Sequence, residues 1–498
     1  MHKYILAVLT ILPCMLTASP LSVFDFMTAT QIALVQNNKS VDDTCQIQTA
    51  LNALSAVSSG SLYFPAGTYK VSATLFTSGL LSCRIFGEAG FDGAESIINN
   101  GPKTIIKWIG PNAPNAPVVR HTRASGMVWS GISIDCNHRA GYGLQFDSDL
   151  QTAGAVRNII ELCSVNYAQK DGLLIGAEGS PVANHGDRQF FAYTVRQVVV
   201  RGCQRSGIHV NEWNADAHVY DQVWGFPDDT KTWNCANVFW FERGGNASEL
   251  RSCESSATVA SAVEGSGFMI KNGSSEMHTG CQGLTVVNAW SEDNGGFFWA
   301  NTVGDIKNPY TFINCKAYGY GTGTTGLSVY VTLKGAKPAS FTFTGCHLNS
   351  DVKLDTPNIK SSHLTEIGNY WGPAAGIIDF RGTKTMKRFV DLGNVNTDGK
   401  AFLPPRFAHV VMLTLTANIP AVYMEGIDDI ATPITLIIKQ DALGGRTIVF
   451  GADQWANASS IPQPDPTAGA VTIYVFTSDG NWWHLVSVRS NNGITSLR

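Results

Sequence analysis

Residues 160–175 read Ile-Glu-Leu-Cys-Ser-Val-Asn-Tyr-Ala-Gln-Lys-Asp-Gly-Leu-Leu-Ile. The stretch holds two phrases. In the first, an apolar residue stands three positions before a cysteine. In the second, a glycine opens a short run of apolar residues. The first phrase returns as Val200–Cys203, Leu250–Cys253, Phe312–Cys315 and Phe343–Cys346, with Cys136 closing a similar run behind Ile132 and Ile134. The second returns as Gly143-Leu-Gln-Phe, Gly207-Ile-His-Val, Gly267-Phe-Met-Ile, Gly296-Phe-Phe-Trp and Gly326-Leu-Ser-Val. Each glycine phrase reads as a short strand entered through a turn.

Short strands repeating without helical periodicity predict a parallel β-solenoid, whose turns cannot bury an apolar face alone and so stack on a shared core. Asn288 is expected to take the cysteine slot in Leu284-Thr-Val-Val-Asn-Ala-Trp290. Cys136–Cys163, Asn288–Cys315 and Cys315–Cys346 are then 27, 27 and 31 residues apart. The gaps Cys163–Cys203 and Cys203–Cys253, of 40 and 50 residues, predict long inserted loops. The chain has 11 cysteines. Their repetition suits a column of small buried thiols better than a disulfide framework, and no Cys/His spacing suggests a metal.

Working outward, residues 43–54 (DTCQIQTALNAL) predict an amphipathic helix with Asp43 and Thr44 at its start and Ile47, Leu51 and Leu54 on one face. Such a helix would cover the open first turn, which is otherwise an aggregation-prone edge. Near Gly372 the pattern changes. Residues 373–407 read as a linker, and 408–498 as a small antiparallel domain with a hairpin turn at Ser478-Asp-Gly-Asn481. Residues 1–19 have the shape of a secretory signal peptide, with a buried or anchoring N-terminal segment as the alternative. No later stretch is long and apolar enough to span a bilayer.

In 498 residues, 15% are charged and 44% apolar, with a formal net charge of −4. That composition excludes global disorder. The absence of a basic stripe argues against nucleic acid as a partner.

Val41-Asp-Asp-Thr, Ile47-Gln-Thr-Ala-Leu51, Gly60-Ser-Leu-Tyr-Phe-Pro-Ala-Gly-Thr-Tyr69-Lys-Val and Ile85-Phe-Gly-Glu88 together resemble the pectate-lyase-superfamily right-handed β-helix. The version they resemble is the one found in bacteriophage tailspikes and capsule depolymerases. Ser22-Val-Phe-Asp-Phe-Met27 looks like the opening of many tailspikes. Gln440-Asp-Ala-Leu-Gly-Gly-Arg-Thr-Ile-Val-Phe450, Trp455 and Asp479-Gly-Asn-Trp482 look like a small β domain of phage tail proteins. The resemblance implies an all-β chain: a right-handed parallel β-helix over 20–372, an N-terminal capping helix and a small C-terminal antiparallel β domain. It also implies an extracellular or virion location, a polysaccharide partner and a homotrimer.

Extended glycans bind flat solenoid faces through aromatic platforms, and carboxylates cut them. The candidate catalytic acids are Glu212, Asp216, Glu254 and Glu292, and the candidate substrate-binding residues are Trp213, Trp224, Trp290 and Asp293. His209 is expected on the surface, and Trp299 either in the core or on a platform. Arg201, Arg205, Arg243, Arg251 and Lys271 would serve an elimination instead. No acidic cluster suggests calcium, and no cofactor is expected. The expected activity is carboxylate-based glycoside hydrolysis. The alternatives are a polysaccharide lyase, a glycan-binding adhesin or receptor-binding spike, and a purely structural tail protein.

Overall fold

The computed structural model describes residues 19–491 except 58, 89–102, 149–154, 179–189, 213–214, 228–234, 257–265, 274–280, 295, 303–308, 320–326, 334–339, 349–350, 355–363, 368, 372–376, 379–383, 386–388, 396–400, 404–409, 425–432, 453–454 and 480–481. Most of the leader, and much of the expected linker, lie outside them. No helix among the described residues is long and apolar enough to cross a membrane. The chain forms two compact units. The first comprises 1–326, 333–346 and 363–368, and the second 327–332, 347–362 and 369–498.

The first unit is the expected right-handed parallel β-helix. One strip stacks Ile159–Asn166, Thr194–Arg201 and Val219–Phe226 in parallel register. It continues through Ser248–Arg251 with Glu254–Ser256, and Leu284–Val287 with Trp290–Asn294. A second strip stacks Ala140–Asp147, Asp171–Gly176, Ser206–Asn211, Asn237–Arg243, Phe268–Gly273 and Gly296–Thr302. The glycine phrases are therefore strands of this second strip. Their inward residues Leu144, Leu173, Ile208, Phe239, Ile270 and Phe298 stand in one buried column, because alternate residues of a strand share a face.

Three details correct the sequence reading. The 50-residue gap between Cys203 and Cys253 holds a complete rung, Val219–Phe226 followed by Asn237–Arg243, as well as loops. Valine replaces cysteine at the corner there, so the spacing hid it. Nor do the thiols form a single column. Cys163, Cys253, Cys315 and Cys346 share one corner, each Sγ facing the carbonyl two residues back at 2.9–3.6 Å. Cys203 instead stands beside Cys136 and Cys235, because its strand carries Val198 through the first corner. Asn288 does not fill a thiol slot either. It is left-handed, φ 53°, one residue before the inward Ala289.

That left-handed residue recurs at Gly131, Leu162, Gln197, Gln222, Ser252, Asn314 and Gly345, and it bends each of these rungs at the same place. All ten described cysteines are free, and all but Cys45 are buried. Burial pushes the Cys163 and Cys253 thiols up to about 12, so they pack as neutral groups.

The helix expected at 43–54 spans Thr44–Ser55 and buries Ile47, Ala50, Leu51 and Leu54. Just before it Asp42 accepts the Thr44 N–H at 3.0 Å. Asp43 is turned inward, where it accepts the Lys70 N–H at 2.9 Å. A further helix, Ala29–Gln36, precedes it.

In the second unit the expected hairpin joins Val471–Ser478 to Trp483–Asn491, and Pro433–Gln440 also pairs antiparallel with the first of these. The sheet is mixed, because Phe389–Val395, Val410–Leu415 and Pro433–Gln440 pair in parallel. Ala401–Leu403, Ile419–Met424 and Ile448–Phe450 form a second parallel strip. Parts of the expected linker are therefore strands. The core holds Val411, Leu413, Leu436, Ile438, Trp455, Tyr474 and Phe476.

Candidate functional site

The first strip brings two of the expected acids together. Val223 and Cys253 point inward, so Trp224 and Glu254 point outward, and they are register partners on adjacent rungs. On the following rung Glu254 pairs with Trp290, and Ser256 with Glu292. Glu292 is thus one rung on and two residues along from Glu254, on the same face. Rung spacing and strand rise put their Cα atoms roughly 8 Å apart, and side chains from such positions reach the roughly 5–9.5 Å used in glycoside hydrolysis.

Glu254 is half-buried. Burial and then the nearby Glu292 charge push its carboxyl above the usual range. Among the described residues no ion pair involves either acid. Trp224 is half-buried and Trp290 is 39% exposed. Glu254 therefore sits between two indoles in register, Glu292 lies beside Trp290 on the next rung, and Lys316 comes one rung later in register with Trp290.

The other expected acids stand elsewhere. Glu212 is buried just beyond the strand Ser206–Asn211, and its N–H donates to the Arg243 carbonyl at 3.3 Å. Asp216 lies in the turn before Val219–Phe226 and accepts the Asn246 N–H at 3.1 Å. Burial raises its carboxyl, and the Asn246 bonds oppose this. Trp213 and the side chain of Asp293 lie outside the described residues.

The outer face of the second strip carries a constellation that the sequence concealed. Gln145, Leu174, His209, Trp240, Lys271 and Trp299 form one register column. His209 is not on the surface: it is fully buried. Its Nδ1 is 2.9 Å from Asp171 and its Nε2 is 3.0 Å from Glu242. Two carboxylates at these distances favour the ring that donates from both nitrogens, the imidazolium.

Arg205 clasps the buried Asp171 with two nitrogens and reaches Glu178 with a third. Burial alone would raise Asp171, but the Arg205 and His209 charges hold it well below the usual range. Burial likewise opposes the charge on His209, and Asp171 and Glu242 overcome it, so His209 titrates above its ordinary value.

Trp240 is filled from both sides. His209 stacks on it at 4.2 Å and 3° between planes, and the Lys271 ammonium stands 4.4 Å from its centroid. Trp299 is buried in this outer column rather than in the core. Of the cations weighed for elimination, Arg205 and Lys271 thus stand on this face, apart from the acid pair on the first strip. Arg251 is exposed and paired with Glu249 at 2.6 Å.

No family model matches the chain, and no curated protein matches it. Solved structures similar to it include the surface adhesin PfbA of Streptococcus pneumoniae, at 12% identity over 94% of this chain and 100% of that one, TM-score 0.41. The tailspike of Acinetobacter phage vB_ApiP_P1 matches at 10% identity over 97% and 81%, TM-score 0.38. The Azotobacter vinelandii mannuronan C-5 epimerase AlgE6 A-module matches at 15% identity over 72% and 97%, TM-score 0.37. An adhesin, a tailspike and an epimerase differ in what they do, so function here has to be argued from side chains.

Proposed function

We propose that the protein degrades polysaccharide by glycoside hydrolysis at Glu254 and Glu292. One observation carries this reading: two outward carboxylates, joined to no cation among the described residues, stand on adjacent rungs, with Glu254 between Trp224 and Trp290 in register and Glu292 on the Trp290 rung. Burial and then the neighbouring like charge push the Glu254 proton affinity up, which suits it to act as the acid.

Glu254, whose carboxyl is raised by burial and then by Glu292, passes a proton to the glycosidic oxygen as the C–O bond breaks. Glu292, as carboxylate, takes a proton from the attacking water or itself attacks the anomeric carbon. The anomer released distinguishes the two. The indoles hold sugar rings by their apolar faces. The site of action is outside a cell, where such glycans lie, whether the protein is secreted or carried on a virion. Assembly as a homotrimer through the C-terminal unit completes the proposal.

The test is incubation with purified bacterial capsules, followed by reducing-end assay and mass spectrometry. Products heavier by one water mean hydrolysis, and products without it mean elimination. Glu254→Gln is expected to lose about 10²–10⁴ of turnover while retaining binding. It should recover on a glycoside whose leaving group needs no proton. Binding without any new reducing ends or unsaturated products would make the protein an adhesin.

A further inference from the structure

The acid strip carries a column that the hydrolytic reading does not use up. Trp224, Glu254, Trp290 and Lys316 follow one another in register, one side chain per rung. Rungs stack about 4.8 Å apart, close to the length of one sugar in an extended glycan. The two indoles are therefore roughly two rungs, about 10 Å, apart, with Glu254 midway between them. That spacing fits alternate sugars of a chain lying along the solenoid axis, with the sugar between them over Glu254 and a linkage on either side of it. A chain lying across the rungs would meet a single indole.

Lys316 comes next in the column. It is exposed, and its ammonium stands 5.2 Å from the Trp290 ring centroid. Among the described residues no carboxylate pairs with it. It does not serve the acids either, for the influences on Glu254 are burial and Glu292, with no lysine among them. A cation held beside a sugar platform, one rung past it and unspent on the protein's own acids, is placed for a ligand's charge.

We propose that the glycan runs along the solenoid axis over Trp224 and Trp290, and that Lys316 determines specificity by pairing with a carboxylate on the sugar beyond Trp290. The substrate class is thereby an acidic polysaccharide. Lys316 touches the sugar beyond Trp290 and leaves the bond-breaking step to the two glutamates. The inference rests on the reading of Glu254 and Glu292 as the cleaving pair.

The experiment takes the full chain and the capsule it cleaves best, and compares that glycan with its carboxyl-reduced form. Wild type is expected to prefer the acidic form by about tenfold in kcat/KM, carried by KM, as a charge-assisted bond implies. Lys316→Gln should bring the two forms within about twofold at unchanged kcat, and Lys316→Arg should keep the preference. A neutral best substrate, or a preference that survives in Lys316→Gln, overturns the inference while leaving the acid pair standing. If Glu254→Gln and Glu292→Gln cleave as wild type does, the acid-pair reading falls. Lys316 is then judged by affinity electrophoresis in the same two glycans, where unchanged retardation of Lys316→Gln refutes its role. If no capsule in the panel is bound or cleaved, both readings fail.

Discussion

The two outer strips of the solenoid handle charge in opposite ways. On the first, Glu254 is half-buried near Glu292 and the exposed Trp290 indole, and burial and then the Glu292 charge raise its proton affinity. On the second, Asp171, Glu178 and Glu242 are matched by Arg205, Lys170 and His209, and Asp171 falls far below its ordinary value. The same scaffold thus stores unfavourable electrostatics on one face and favourable electrostatics on the other. Only the first is free to do work on a ligand. The second, with both sides of Trp240 occupied, is spent on holding the fold together.

Substitutions of similar chemistry should therefore diverge between the faces. Asp171→Asn leaves the Arg205 and His209 charges short of their partner and should cost roughly 3–5 kcal/mol, as breaking a buried pair does. Glu254→Gln removes a like-charge conflict and should leave thermal stability unchanged or slightly higher. Chemical denaturation of both variants checks this, and equal losses would erase the contrast.

Two tryptophans offer a second, somewhat smaller comparison. Trp240→Ala empties a slot between His209 and Lys271 and should destabilise by about 3 kcal/mol. Trp290→Ala, at an exposed position, should stay within about 1 kcal/mol of wild type and instead raise KM for the glycan.

The smallest effect is a dependence on pH. His209 titrates above its usual value, so its contribution is fully present below about pH 6.5 and fades as pH rises through the folded-state value. Asp171 titrates below its usual value, so its contribution is present above about pH 4 and is lost on acidification. The melting temperature should therefore be highest between those limits. His209→Gln should flatten the alkaline fall and leave the acid one. The groups facing His209 are Asp171 and Glu242, which favour its charge, and Arg205, which opposes it.

The solenoid was legible because inward residues alternate within each glycine phrase, and stacking requires every rung to repeat them. The acid pair was partly legible: Glu254 follows an inward cysteine, which sets its direction one residue later. The rung at Val219–Arg243 was not, since Val223 does at its corner what a thiol does elsewhere. His209 was misread because what buries it is remote in sequence. Asp171 lies 38 residues before it and Glu242 lies 33 after, so alternation alone pointed it outward toward water. Asn288 was misplaced because a left-handed corner precedes the inward slot, and asparagine suits that backbone.

The recurring bend before the inward corner residue gives the described storeys of this strip a common corner. Inserting one whole storey between the rungs of Trp290 and Lys316 would continue the same backbone path while moving the ammonium by a fixed increment relative to the glutamates. The molecule is in that sense a graduated ruler: the length measured between cleavage point and charge is set by how many coils separate them, and genetic gain of a coil is a route to a new preference without redesign of either group.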